Sequence, residues 1–488
     1  MGQIVFPTVG VSTDVDATLL ALDDHLVPFK NNVCYYLTEP TVRPEPVLEP
    51  SRENPNAPDH LAAHFYGTVL REAGEYRMWY YGIHFGDNPG PLNEGPVCYA
   101  RSADGIEWEK PPLGQVEHAA STANNAIRLP DARTEGVEIL REDDDPDPMR
   151  RYKMVYETFS DPHMPTIRTA TSPDGIHWDA SPGYPVPLRI EQSSFYRYGG
   201  MYYVNGQMWP KGEGSRSRGR QGHVVVSPDF NTWLPACAES FALPEPEEAG
   251  NGVASDQVHL GVGAVSLGTV LVGLYCRWHA RPNPGDWFGR TTTSGDLGLV
   301  LSNDGIHFRE PIKGRLFLTG EQSPVTPIPG KPYPTILEQA HGILTVEDET
   351  RIYHGRWRNA PVGEEYYAEV ALATIPRDRW GALGLVADEA EGSAWTAPFV
   401  LPADGCRLAV NADVPEGISI ALVDDRFVPI GRPASVRRSA ADGLEHPVDL
   451  DLSRASLGGR SVRLRIDFRR YGNREPRLYA AYLRKRAP

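Results

Sequence analysis

Cysteine is scarce in this 488-residue chain: Cys34, Cys98, Cys237, Cys276 and Cys406 are widely spaced, odd in number and form no Cys-x-x-Cys pair. That pattern excludes a disulfide framework and a cysteine-based zinc site. No apolar run approaches the length of a membrane-spanning helix, so no membrane partner is expected. Sustained helical periodicity is missing too, and only Asp14 to Leu26 hints at one short helix. The opening MGQIVFPTVGVSTD has no basic segment leading into an apolar core, and no Ser or Thr at position 6 for myristoylation. A cytoplasmic location is the expectation. Basic residues are outnumbered, 48 Lys and Arg against 64 Asp and Glu, for a net charge of −16. This argues against a nucleic-acid partner. The deficit is uneven: from Asp388 onward there are 16 basic and 14 acidic residues, so the preceding chain carries net −18. An acidic body suits a neutral or cationic ligand better than a polyanion.

What the chain has is a recurring seven-residue phrase. It reads SADGIEW at Ser102–Trp108, SPDGIHW at Ser172–Trp178, SPDFNTW at Ser227–Trp233 and SNDGIHF at Ser302–Phe308, with a degenerate echo, PRDRWGAL, around Trp380. Successive aromatic ends lie 70, 55, 75 and 72 residues apart. A self-similar unit of this size, closed by an aromatic, signals radially repeated β-structure. Ser before Asp-Gly bonds backbone amides in a tight turn, and Gly adopts positive φ without steric cost. The closing Trp or Phe can plug the gap between neighbouring units. Such turns hold the scaffold and touch no substrate.

The 45 Pro and 47 Gly are spread between short apolar runs, as in a turn-rich all-β protein. Each unit shows the same order of strands, for example GVEILRED, RYKMVYETF, then IRTATSPDGIHW. The expected fold is therefore all-β: a five-bladed β-propeller over residues 51–385, followed by a β-sandwich over 386–488. Residues 1–50 are expected to be a lead-in packed on the propeller. In SVRLRIDFRRY, Val462, Leu464, Ile466 and Phe468 should face inward, with Arg463, Arg465 and Asp467 facing solvent.

In a propeller the first strand of each blade lines the central channel, and an acid stands just before each such strand. These are Asp59, Glu135, Glu191, Asp256 and Glu338, and in three cases Gln follows: Gln192, Gln257 and Gln339. Carboxylates facing one another across a channel cannot all stay ionised, so their pKa values split. One becomes a general acid and another a base or nucleophile, as glycosidic cleavage requires. His60, His64, His259 and His341 lie near the same strand starts and can grip sugar hydroxyls; His163, His223, His279 and His354 lie farther along. Trp209, Trp278, Trp287 and Trp357 can stack on a sugar ring. Converging His with carboxylates can instead hold a divalent metal, although no HxH or HExxH spacing supports one. The basic loop Gly212–His223 reads as a surface loop that can reach an anion, and the acidic run Asp143–Asp147 as a solvated turn lacking EF-hand spacing.

The segments YRMWYYG, VCYARSADGIEWEKPPLG, RYKMVYE and TSPDGIHW together resemble proteins of the glycoside hydrolase family 32 and 43 superfamily. They resemble most the family-32-like branch that carries a C-terminal β-sandwich. The resemblance spans the chain from about Leu22 to the final strands. It implies that Asp59 is the nucleophile or base, that Glu135 tunes and orients, and that Glu191 is the general acid. The chain lacks WMNDPNG, the RDP triplet and an EC dipeptide in the family-32 manner, so invertase or fructanase activity is not implied.

The leading expectation is a glycoside hydrolase acting on a small glycoside or oligosaccharide, furanosidase-like and exo-acting, with paired carboxylates at the axis and no cofactor. Asp256, Glu338, the three glutamines, His60, His64, His259, His341 and Trp278 would bind substrate. The alternatives are a non-catalytic carbohydrate-binding propeller, or a metal-dependent lyase or isomerase using the channel histidines.

Overall fold

The computed structural model describes residues 3–84, 94–131, 133–158, 166–181, 183, 185–208, 219–243, 256–279, 291–361, 365–402, 404–439, 443–453, 457 and 459–485. Among the described residues the chain is nearly all β, with two short 3-10 turns at Pro148–Arg150 and Pro415–Gly417.

The strands that follow the repeat phrase form antiparallel sets in chain order. The first set is Ala62–Glu72, Glu75–Ile83 and Glu94–Ser102. The second runs Thr134–Arg141, Tyr152–Thr158, Ile167–Ser172 and Asp179–Ala180. The third runs Glu191–Tyr198, Met201–Met208, Gln221–Ser227 and Ala238–Phe241. The fourth runs Asp256–Ser266, Leu271–His279, Ser294–Ser302 and Leu316–Leu318. In the fifth, Ile336–Glu338 and Ile343–Val346 both pair with Glu349–Arg358, followed by Tyr367–Pro376. One parallel pair, Gly295 with Ile336, joins the fourth and fifth sets.

The innermost strands share a peculiarity. The first bulges between His64 and Thr68, the second between Glu135 and Val137, the third between Gln192 and Ser194, and the fourth between His259 and Val262. The fifth is interrupted between Glu338 and Ile343. A bulge frees backbone groups and re-aims side chains. Those freed groups stitch each inner strand to the next. Ile139 N donates to Thr68 Oγ1 at 2.9 Å, Ser193 Oγ to Leu260 O at 2.6 Å, and Gln339 Nε2 to Gly261 O at 2.9 Å. Gln192 Nε2 faces Gly136 O at 3.5 Å between the second and third, and Phe65 N donates to Glu338 Oε2 at 3.0 Å, which closes the ring. The result is a propeller-type axis with polar side chains converging on it.

The repeat phrase forms the clasp between sets. Ser172 Oγ accepts from Gly175 N, and Asp174 Oδ1 from Ile176 N and His177 N, each at 2.8 Å. Gly175, at φ +76°, then presents its carbonyl to Trp178 Nε1 of its own phrase and to Trp79 Nε1 of the preceding set. Gly105 and Gly305 repeat the arrangement, receiving Tyr353 Oη and Tyr196 Oη.

The C-terminal strands make a two-sheet sandwich. One sheet is ordered His446–Val448, Cys406–Asp413, Arg477–Lys485, Gly381–Leu385 and Val33–Leu37, with Ala17–Leu20 also on Arg477–Lys485. The other is ordered Pro429–Ser435, Ile418–Asp424, Val462–Arg469, Glu391–Trp395 and Phe29–Asn31. Val462, Leu464, Ile466 and Phe468 are buried in its core, and the intervening residues are partly exposed, as the alternation predicts. Residues 1–50 supply strands to both sheets of this sandwich and, through Thr41–Val42, the outermost strand of the fifth set. The short helix hinted at over Asp14–Leu26 does not form. Ala17–Leu20 is a strand there, because its backbone pairs with Ala480–Leu483 and its apolar residues join the sandwich core.

Candidate active site

The bulged ends of the inner strands gather the acids. Glu135 lies one residue before its bulge, directly opposite Glu157 on the adjacent antiparallel strand. Residues opposed in this way share a face, with Cβ atoms about 5 Å apart. Tyr81 Oη donates to Glu135 Oε1 at 3.5 Å. Glu157 is buried, and its Oε1 has no partner among the described residues. Burial, then the charges of Glu191 and Glu135, push the Glu157 carboxyl well above the usual carboxylate range. Glu191, the first residue of the third inner strand, is also raised by burial, against the pull of Arg220 and Arg189. Three carboxyls thus share one neighbourhood, and they cannot all be charged at once.

A polar and aromatic wall faces them. Arg220 donates through its backbone N and Nε to Gln257 Oε1 and through Nη1 to His259 Nδ1 at 2.9 Å, with its guanidinium 4.7 Å above the Trp278 ring. His259 Nε2 meets Tyr66 Oη at 2.9 Å. Burial, Arg220 and His64 hold the His259 imidazole well below its usual range, so it is neutral, accepting at Nδ1 and donating at Nε2. His64 is fixed by Glu338 Oε1 at Nδ1 (2.5 Å) and Tyr366 Oη at Nε2 (2.8 Å), and stacks on Tyr81 at 4.9 Å. Trp357 lies edge-on to His64 and 6.0 Å from Trp278; its buried Nε1 has no acceptor among the described residues.

The remaining expected site residues lie as follows. Asp59 is buried before the first inner strand, where its Oδ2 accepts from Tyr80 Oη at 2.8 Å and Lys110 Nζ at 2.5 Å. Tyr80 and Lys110 thus engage Asp59, whereas Glu157 feels the charges of both Glu191 and Glu135. At the bulge level the first set presents His64. His60 Nδ1 faces Ser51 O at 3.4 Å. Asp256 pairs with Arg277 at 2.6 Å and with His279 Nδ1 at 3.0 Å, and His279 Nε2 reaches Asp296 at 2.9 Å. Hydrogen bonds from Asp256 and Asp296 outweigh burial and raise His279 to about 9, while Asp256 falls to about 2. Gln192 and Gln339 are buried at the axis, and the half-buried His341 contacts Ile139 O through Nδ1 at 3.1 Å. His223 contacts Gln221 O, and His354 bonds Ser323 Oγ inside the fifth set. Trp209, His163, Trp287 and the loop portion 212–218 lie outside the described residues. Among the described residues no group of three or more His, Cys, Asp or Glu side chains is placed to hold a metal ion, and no helix is long and apolar enough to cross a membrane.

Sequence reading passed over Glu157, Tyr66, Tyr81 and Tyr366, and took Arg220 for part of a surface loop. The signal for Glu157 was its place at the end of RYKMVYE, where a hairpin register counted back from the turn sets it against Glu135.

No family model matches this chain. Two curated relatives, uncharacterized proteins of Mycobacterium tuberculosis strains CDC 1551 and H37Rv, are each 31% identical over 115 residues, 23% of this chain. The chain spans about a third (32%) of the length of those relatives. Among solved structures, one from the GH130 family of mannoside phosphorylases, containing glycoside hydrolases that target β-1,2 mannosidic linkages in Candida mannan, is 15% identical. It covers 71% of this chain and 94% of its own, with TM-score 0.45. A glycosyl hydrolase from Bacteroides ovatus is 16% identical, covering 71% and 95%, with TM-score 0.46. A family 43 arabinoxylan arabinofuranohydrolase from Bacillus subtilis, in complex with cellotetraose, is 12% identical, covering 90% and 99%, with TM-score 0.40.

Proposed function

We propose that the protein is a glycosidase that cleaves a small glycoside or oligosaccharide, with its acid–base chemistry on Glu135, Glu157 and Glu191. The observation that carries this reading is the sharing of one buried neighbourhood by three glutamates, two of them opposed across a strand pair. Glu191 is partly exposed and its carboxyl is raised by burial, the direction that suits a general acid protonating a departing sugar oxygen. Glu135 is the complementary base. Glu157 sits deeper, and its raised carboxyl titrates as one group with the other two. The wall of Trp278, Trp357, His259 and Arg220 gives the site the aromatic and polar lining that suits a sugar ring. The resemblance gives the base role to Asp59 instead, and the two assignments part on single substitutions.

The second reading, a carbohydrate-binding propeller without turnover, is favoured by the ion pair of Asp59 with Lys110, which engages the acid that the resemblance makes the nucleophile. A panel of nitrophenyl furanosides and pyranosides, assayed with and without EDTA, decides. Release from one sugar, unchanged by EDTA, supports the glycosidase. Release lost with EDTA favours metal-dependent chemistry, and binding of sugars without release favours the second reading.

A further inference from the structure

The end of the fourth set carries a cluster of charges that the proposed chemistry does not use. His279, the last residue of the second strand, pairs across the ladder with Asp256, the first residue of the inner strand. Its Nδ1 lies 3.0 Å from Asp256 Oδ1, and its Nε2 lies 2.9 Å from Asp296 Oδ2 on the third strand. Both carboxylates accept at their other oxygen as well. Asp256 Oδ2 receives Arg277 Nε at 2.9 Å and Nη2 at 2.6 Å, and Asp296 Oδ1 receives Gly320 N at 2.8 Å. A ring that faces an accepting carboxylate at each nitrogen must donate from both, so His279 is an imidazolium. Two carboxylates are thereby matched by two cations, Arg277 and His279. Beyond them, among the described residues, Glu310 stands near Arg277 and accepts from Tyr275 Oη at 2.5 Å, and the buried Cys276 thiol stands near Asp296.

We propose that His279 is a positioning residue: as an imidazolium between Asp256 and Asp296, it fixes the wall residues Gln257 and Trp278, and through them Arg220. The connection is one residue long on each strand. Gln257 follows Asp256, Trp278 precedes His279, and these two form the next pair of the ladder. Successive side chains of a strand point to opposite faces, so the ion cluster sits on one face of this strand end and the wall on the other. Gln257 Oε1 accepts from Arg220 N at 3.1 Å and Nε at 3.0 Å, and the Trp278 ring carries the guanidinium. Val258 N donates to Arg220 O at 3.0 Å. Arg220 therefore takes its position from the terminal pairs of a ladder, where strands open most easily. A neutral imidazole would turn a lone pair toward one carboxylate and release that strand end.

This inference rests on the proposed acid–base roles only for its activity readout. At pH 7, proton–nitrogen NMR correlations should show protons on both His279 ring nitrogens, with a titration at about 9. Exchange of the Arg220 Nε–H at pH 7 should quicken by about tenfold or more in His279→Ala. In His279→Gln, which keeps one donor, it should quicken by a smaller factor. The Arg77 Nε–H, bonded to Tyr99 Oη at 3.0 Å in the first set, should keep its rate in both variants and so reports any general loosening. For a sugar released in the nitrophenyl glycoside panel, His279→Ala should move the basic limb to higher pH, as Arg220→Met does, and add nothing in an Arg220→Met background. A neutral His279 at pH 7, an Arg220 rate unmoved in both variants, equal quickening at Arg77, or additive limb shifts overturns the proposal. If no glycoside is cleaved, the ring protons and the two exchange rates still decide the role of His279.

Discussion

Glu135 and Glu157 stand directly opposite one another on adjacent antiparallel strands, one residue before a bulge that turns the inner strand into the axis. Like charges so placed repel, and burial removes the water that would screen them. The pair, with Glu191, therefore titrates as a group, in macroscopic steps that belong to no single residue.

Glu157→Gln tests this coupling. Removing one ionisable partner removes like-charge repulsion from the group, so its highest macroscopic pKa should fall. The basic limb of the pH–rate profile should then move to lower pH, by on the order of one unit. An unmoved limb would separate Glu157 from the site.

Arg220→Met should act in the opposite direction. Arg220 stabilises the Glu191 carboxylate and disfavours charge on His259. Its loss should carry the basic limb to higher pH and bring the His259 imidazole up toward its ordinary range, visible in the pH dependence of its NMR resonances.

Glu135→Gln and Asp59→Asn separate the two assignments of the base. We expect Glu135→Gln to lower kcat by about a hundredfold or more. Asp59→Asn should cost less in rate and more in stability, because it leaves Lys110 facing a buried site without its counter-ion. The reverse ranking, in kcat and in melting temperature, would return the role to Asp59.

Two pH effects on stability follow from ion pairs away from the site. Asp174, bound by backbone amides of its turn, has its carboxyl lowered to about 2. Its contribution is present above its ordinary value near 3.8 and is lost as pH falls toward 2. His279, raised to about 9 between Asp256 and Asp296, contributes fully below its ordinary 6.5, and that contribution is lost as pH rises through 9. Melting temperatures of Asp174→Ala and His279→Gln should converge on that of wild type at those respective extremes.

Much of this arrangement was legible in the residues. Ser-x-Asp-Gly and its closing aromatic mark local turns, so each copy announced itself, and the turn built by Ser172, Asp174 and Gly175 is what the phrase foretold. Glu135 and Glu191 were visible because they precede apolar strands in recognisable units. Glu157 was not, since it ends a strand and becomes meaningful only through cross-strand register. Arg220 was hidden in a Gly/Ser-rich stretch whose composition reads as surface loop, though its guanidinium lies on Trp278. The pairing of Ala17–Leu20 with Ala480–Leu483 joins segments more than 450 residues apart, and no local pattern encodes a partner so remote.

The central claim is that Glu191 gives its proton to the departing oxygen. For a sugar released in the nitrophenyl glycoside panel, wild type and Glu191→Gln should be compared on a nitrophenyl glycoside and on an alkyl glycoside. Nitrophenolate leaves without protonation, whereas an alkoxide does not. We predict a modest loss on the aryl substrate and a loss of about 10²- to 10⁴-fold on the alkyl one. Equal losses on both substrates, or none on either, would contradict the assignment.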